Sequence, residues 1–497
     1  MSYLWKLLGV ALILLTAGNA AAADHDLVIY HTNDVHGYAF EERDADGKLT
    51  RVGYDRLKAL IDDDETECKL LLDAGDVLHG QAFATARRGE LAAQILNMMG
   101  YDALAVGNHE FDYGADRLEY LVSKYRLNFL AANVLKADNP LSKWPKYFLP
   151  SSTLHPLNNL KAGIFSLSTP ETPTSTDPRN VLELTFEDPI ATAKNTAARL
   201  RAEGASVVIA LTHLGSEDYC QPSSLTLAAE VPGLDLIVDG HSHSALAKRV
   251  KRPDGGETLV VSSGSGFENV GRVYADRSEG GWTFSAELLP AADISYIAPD
   301  PAMSRAMAAL REELDAELAQ VVMEAPFALD GSRENIRNRS TNLGRIVSAA
   351  LMSGTADAAL INSGSFRDSI AAGPVTKGQL LSVLPYGNYV YVIDISGADL
   401  LAALNHGLAR PGSGAFPQFF GMTVEAAPLP TIPGALKATA VTIGGRPLDP
   451  TATYRLATND FLHSGGDGYK MFSKYEAQEL STLEEIFRNF ITEIPAE

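Results

Sequence analysis

YDALAVGNHEFD (101–112) decides how this chain is read, because a short apolar run passes at once into Asn, His and two acidic residues. Such a run reads as a buried strand whose C-terminal end opens into polar side chains. Four other stretches do the same: LVIYHTNDVHG (27–37), KLLLDAGD (69–76), SVVIALTHLG (206–215) and LDLIVDGHSH (234–243). If these strands are parallel neighbours, their C-terminal ends lie along one edge of the sheet, where open α/β sheets bind ligands. That edge gathers Asp34, His36, Asp76, Asn108, His109, His213, His241 and His243. Carboxylate, carboxamide and imidazole side chains suit borderline divalent ions, and there are enough of them for two. Taken singly, each motif is a solvated turn; their recurrence at consecutive strand ends is what argues for a metal centre.

Outward from these runs, apolar strands alternate with amphipathic helical stretches such as GELAAQILNMMG (89–100) and DPIATAKNTAARLRAEG (188–204). That alternation is the α/β signature. DPAMSRAMAALREELDAELAQVV (300–322) has good helix formers throughout and Pro only at its start, and reads as one long connecting helix. A second mixed α/β region follows from about Ala325. The expected organisation is a leader over 1–23, a first domain over 24–298, a linking helix over 299–323 and a second domain over 324–497.

At 497 residues the chain is too long for one core, and 46% hydrophobic with 21% charged residues is ordinary for a soluble globular protein. A formal net charge of −21 argues against nucleic acid as a partner, while a small anionic substrate still fits a local positive site. Lys6, the apolar LLGVALILLTA (7–17) and the small-residue AGNAAAA (17–23) read as a cleaved signal peptide. The apolar run is short of the roughly 20 residues a membrane span needs, so no stable membrane anchor is expected. The expected location is the periplasm or outside the cell. Cys68 and Cys220 are the only cysteines, and an oxidising compartment permits a bridge that sequence alone does not decide.

DVH, GD, GNHE, THLG and GHSH, in this order and at strand ends, resemble the calcineurin-like metallophosphoesterases. GNHEFDYG narrows the resemblance to the 5′-nucleotidase branch, and SRENIR (332–337), NSGSFR (362–367), PYGN (385–388) and FLHSGGDGY (461–469) match the C-terminal domain of that branch. The resemblance implies a four-layer α/β sandwich, a linking helix and a second mixed α/β domain that binds substrate. It implies one divalent ion held by Asp34, His36, Asp76 and His243, and another by Asp76, Asn108, His213 and His241. Relatives often carry Asn or Gln where this chain has His243, which shifts the expectation toward Zn²⁺, Mn²⁺ or a similar nitrogen-tolerant ion. His109 and Asp112 would form a catalytic dyad, although an isolated His-x-x-Asp is more often a helix cap.

By the same resemblance, Arg333, Arg337 and Arg367 receive the anionic side of a nucleotide, with Gly364 in the same NSGSFR motif as Arg367. Asn362 and Asn388 hydrogen-bond its base or ribose, Tyr386 and Phe461 stack on the base, and Asp467 accepts from ribose hydroxyls. The expected activity is hydrolysis of 5′-nucleotides to nucleoside and phosphate, extending to pyrophosphate bonds of nucleotide sugars or dinucleotides. Three other readings stay open: a 2′,3′-cyclic-nucleotide phosphodiesterase with 3′-nucleotidase activity, a sulfur-oxidation thiosulfohydrolase, and a non-catalytic nucleotide-binding protein. A monomer or weak homodimer is expected.

Overall fold

The computed structural model describes residues 25–136, 146–158, 160–176, 178–217, 220–279, 281–352, 356–430 and 432–492; the leader expected over 1–23 lies outside them. Each of the five apolar runs forms a strand: Leu27–Thr32, Lys69–Asp73, Ala103–Ala105, Val207–His213 and Leu236–Asp239. They do not, however, share one sheet. The first three lie in a six-stranded sheet of order Gly281–Pro290, Asn269–Ser278, Leu27–Thr32, Lys69–Asp73, Ala103–Ala105, Phe129–Leu130. The other two belong to a second six-stranded sheet, where Val207–His213 runs parallel to both Leu160–Ser168 and Leu236–Asp239.

The single-edge expectation fails because these strands are apolar on both faces, and a doubly buried strand does not reveal which neighbour covers it. Leu27, Ile29, Leu70 and Leu72 pack against Ile164, Val207, Ile209 and Leu211 of the other sheet. On the outer face of the first sheet, Val28, Tyr30 and Leu71 pack with Leu57, Leu91, Ile95 and Leu118 of three helices. On the outer face of the second, Val208, Ala210 and Ile237 pack with Ala193, Ala197 and Leu227. Helices, sheet, sheet and helices make the four expected layers.

The helices begin and end where local chemistry dictates. Asp188 accepts a hydrogen bond from the Ala191 N–H at 2.7 Å and Pro189 opens the helix Pro189–Ala202. Pro301–Leu318 starts the same way, with Asp300 capping the Met303 N–H. This linking helix stops four residues short of the expected 322. The β-branched pair Val321 and Val322 is drawn instead into a strand, Val321–Ala325, paired antiparallel with Gly373–Thr376. Near its end, Glu317 joins Arg87 of the first domain to Lys377 of the second.

The second domain is built on a five-stranded sheet of order Pro417–Phe420, Ala358–Asn362, Thr453–Asn459, Tyr389–Ser396, Ala477–Thr482. Separate apolar cores cover its two faces, one with Val347, Leu351 and Phe487, the other with Leu400, Leu404 and Phe472. Cys68 and Cys220 are free thiols, not bridged. No described helix is long and apolar enough to cross a membrane.

Candidate active site

The C-terminal strand ends of both sheets converge on one point. Asp34, His36, Asp76, His241 and His243 all take positive φ, between 49° and 80°. Left-handed backbone is uncommon for such residues and collects at functional sites, where surrounding structure holds it in place. Here it turns each chain sharply at its strand end, so the side chains point inward. Glycine makes that convergence possible: a Cβ on Gly107 would lie 2.2 Å from Asp76 Oδ1, and one on Gly240 would lie 2.9 Å from both Asp34 Oδ2 and His213 Nδ1.

The predicted donors form two overlapping groups, Asp34 with His36 and His243, and Asp34 with Asp76 and His213. His36 Nε2 and His243 Nε2 approach to 3.0 Å, and His243 Nε2 lies 3.4 Å from Asp34 Oδ1. Asp76 Oδ2 sits between the groups, 3.1 Å from His213 Nε2 and 3.9 Å from His36 Nε2. His241 Nδ1 meets Asn108 Oδ1 at 3.1 Å. His213 is wholly buried, and its Nδ1 donates to the Ala74 carbonyl at 2.7 Å, which leaves Nε2 free to donate a lone pair. That Nε2 has an ion-pair distance to Asp76 but no hydrogen bond of proper geometry, as befits a nitrogen shaped for a cation.

The imidazoles differ in charge. Burial holds His36 and His241 down to about 4, so both imidazoles are neutral, as metal ligation requires. Burial opposes ionisation of Asp76, but His213 and His109 outweigh it and keep the carboxyl well below its usual range. Burial likewise pulls His213 down, but Asp76 and Asp34 raise it well above, so its Nε2 carries a proton that a cation would displace. The donor set therefore fits divalent cations.

Beside it, His109 Nδ1 bonds Asp112 Oδ2 at 2.6 Å, and Thr176 donates to Asp112 Oδ1 at 2.8 Å. Burial pulls the His109 imidazole down, yet Asp112 and Asp76 raise it to about 9. The second domain faces this pair across a cleft of about 600 Å³, to which it contributes Arg337, Asn362, Gly364, Arg367, Tyr386, Asn388, Phe461 and Asp467. Asn362 donates to Asp467 Oδ2 at 2.7 Å and Asn388 to Asp460 Oδ1 at 2.8 Å. Phe461 lies flat against Gly466, where any Cβ would meet its ring at 2.5 Å. Arg337 is 9% exposed, and its Nε has no hydrogen-bond partner. Burial, then the charges of Arg333 and Arg367, press its pKa down, the signature of a cationic cluster that wants an anion. Arg333 itself is exposed and does not line the cleft.

Several site residues escaped sequence reasoning. Glu110 is buried and accepts from the N–H groups of Asp76, Val77, Leu78 and Gly107 at 2.7 to 3.1 Å, pinning the Asp76 turn to the Asn108 turn. Its place inside GNHE was the available signal. Asn33 donates to Asp34 Oδ2 at 2.8 Å and accepts from Ser263, tying the first strand end to the end of Glu257–Ser263 in the second sheet. Arg179 reaches from the first domain to Asp460 and Tyr391 of the second. His79 sits against Asp112 with no motif to flag it.

Fold and site together define a metal-dependent phosphoester hydrolase, and comparison with known proteins agrees. The calcineurin-like phosphoesterase family matches residues 27–245, and the 5′-nucleotidase C-terminal domain matches 319–474. The chain belongs to the 5′-nucleotidase family. It is 31% identical to a 5′-nucleotidase of Vibrio cholerae over 93% of this chain and 91% of that one. It is also 31% identical to the trifunctional nucleotide phosphoesterase YfkN of Bacillus subtilis, covering 90% of this chain but only 32% of that longer protein. Among solved structures, a 5′-nucleotidase precursor from Thermus thermophilus superposes with a TM-score of 0.73 at 29% identity, covering 94% of this chain and 96% of that one.

Proposed function

We propose that the protein hydrolyses 5′-nucleotides to nucleoside and phosphate with two divalent cations, zinc, manganese or similar. The single observation that carries this reading is the shared cleft: His109 and Asp112 line one side, and Tyr386, Phe461, Arg337 and Arg367 the other. One cation would be held by Asp34, His36, Asp76 and His243, the other by Asp76, Asn108, His213 and His241, with Asp76 common to both. Bound ions would activate water and neutralise charge on the phosphoryl group. Asp112 fixes the His109 ring through Nδ1, so that Nε2 can donate to a phosphoryl or leaving oxygen in the transition state. Arg337 and Arg367 grip the anion, with Arg333 adding charge behind them. Tyr386 and Phe461 offer apolar faces to a base, while Asn362, Asn388 and Asp467 supply polar contacts for base and ribose.

Pyrophosphates of nucleotide sugars and dinucleotides fall within the same reading. The decisive experiment measures phosphate release from 5′-, 3′- and 2′,3′-cyclic nucleotides, UDP-glucose, NAD and a thiosulfate-type substrate, with and without chelator. Preference for 5′-nucleotides and loss with chelator support the reading; preference for cyclic or sulfur substrates replaces it. The proposed export rests on Lys6 and the run 7–17, and the N-terminal mass of the mature protein tests it, a start near Asp24 being expected. The protein is proposed to be a monomer or weak homodimer, which sedimentation would decide.

A further inference from the structure

His79 is 4% exposed and occupies the seam between the two domains. Its Nδ1 lies 3.3 Å from Asp112 Oδ2, the same oxygen that receives His109 Nδ1. The contact is a close approach without the alignment of a hydrogen bond, and because an ionised carboxylate only accepts, a proton on Nδ1 is what would make it favourable. Burial holds the imidazole down to about 4, hence neutral, with a single N–H that the Asp112 charge favours on Nδ1. The ring also runs nearly parallel to two others: His109, at 5.3 Å and 11°, and Tyr386 of the second domain, at 5.4 Å and 12°. Its Nε2 is buried without a hydrogen-bond partner, a cost that a phenyl ring in the same place would avoid. Packing alone therefore does not account for an imidazole here.

We infer that His79 is a positioning residue that joins the nucleotide slot to the dyad, steadying Asp112 through Nδ1 and backing Tyr386 with its ring. The two tasks act through different atoms. Asp112, hydrogen-bonded by His109 and Thr176 and flanked by His79 Nδ1, keeps one orientation, and His109 with it. Tyr386, backed on the dyad side, presents its other face to a base. A nucleotide seated against Tyr386 is thereby registered to His109 across the domain seam. The inference rests on the proposed roles of His109, Asp112 and Tyr386.

Two substitutions separate the tasks. His79→Asn keeps a donor at the Nδ1 position and removes the ring; His79→Phe keeps the ring and removes the donor. With AMP and p-nitrophenyl phosphate as substrates, His79→Phe should lower kcat on both by about tenfold while leaving the KM for AMP within about twofold. His79→Asn should raise the KM for AMP by roughly three- to tenfold and cost at most about threefold in kcat on either substrate. Should the Phe variant not fold, His79→Leu also removes the donor and should show the same loss of kcat. Equal losses in both variants on both substrates, following a lowered unfolding temperature, would reduce His79 to packing and overturn the inference; so would unchanged kinetics. His109→Ala runs alongside: if it retains kcat, the dyad reading fails, whereas a loss there with normal His79→Phe kinetics sinks only the role of His79.

Discussion

In the first domain, Asp34, Asp76 and His213 are almost wholly buried, the two carboxylates on left-handed turns and His213 at a strand end, and they are braced by Glu110, Asn33 and the Ala74 carbonyl. In the second, Arg333 and Arg367 stand exposed, Tyr386 and Phe461 are half-buried, and the cleft side chains ride on loops and short helices. One region supplies chemistry that tolerates little displacement, so its donors are held by neighbours that are themselves hydrogen-bonded. The other, on the proposed reading, recognises a ligand that arrives and leaves, and looser support suits that task. The contrast predicts large, all-or-none effects on one side of the cleft and graded, substrate-dependent effects on the other.

The largest effect is expected for Asp76→Asn, which weakens both proposed cation sites at once. Activity should fall on the order of 10³-fold, and metal content should drop from near two ions per chain. Full activity with one ion bound would remove the two-cation reading. His109→Ala comes next, with kcat reduced on the order of 10²-fold while both ions stay in place. Loss of metal in that variant would make His109 a ligand and redraw the boundary between cradle and dyad.

Glu110→Gln tests the brace rather than the donors. An amide can accept through only one oxygen where the carboxylate serves four backbone N–H groups, so stability should fall by about 1–3 kcal/mol, read as a lower unfolding midpoint. An unchanged midpoint would mean that the Asp76 turn holds itself. The smallest effect should come from Phe461→Ala, about 1 kcal/mol, or roughly fivefold in KM for nucleotides, with less change for an aryl phosphate. Equal damage with both substrates would make this aromatic structural and blur the division between the two regions.

How much of this was written in the sequence differs between the same two regions. The first-domain donors could be read because each lies within a few residues of a strand end, so strand and donor appear together, as in LVIYHTNDVHG. The slot residues are scattered over loops, and only resemblance to a family singled them out. The division of the five strands between two sheets was not legible, because Leu27–Thr32 and Val207–His213 are buried along their whole length and carry no mark of the layer they face. Nor was His79, whose contacts are made to Asp112 and to Tyr386 rather than to sequence neighbours. The early end of the linking helix could have been suspected from Val321 and Val322, but the strand that claims them lies some fifty residues further along.

His36 and His243 lie 207 positions apart in the chain, and Leu27–Thr32 pairs edge to edge with Asn269–Ser278. A growing polypeptide thus carries its first donors long before their partners exist. As proposed ligands, Asp34 and His36 alone would hold an ion weakly and exchange it quickly. Only when more than half of the chain has emerged can the first strand acquire its late neighbour and the last donors swing into place. On the proposed two-cation reading, the ions would therefore be drawn from whatever surroundings the protein finishes folding in, and the local supply at that moment would share in the choice of metal alongside the donors themselves.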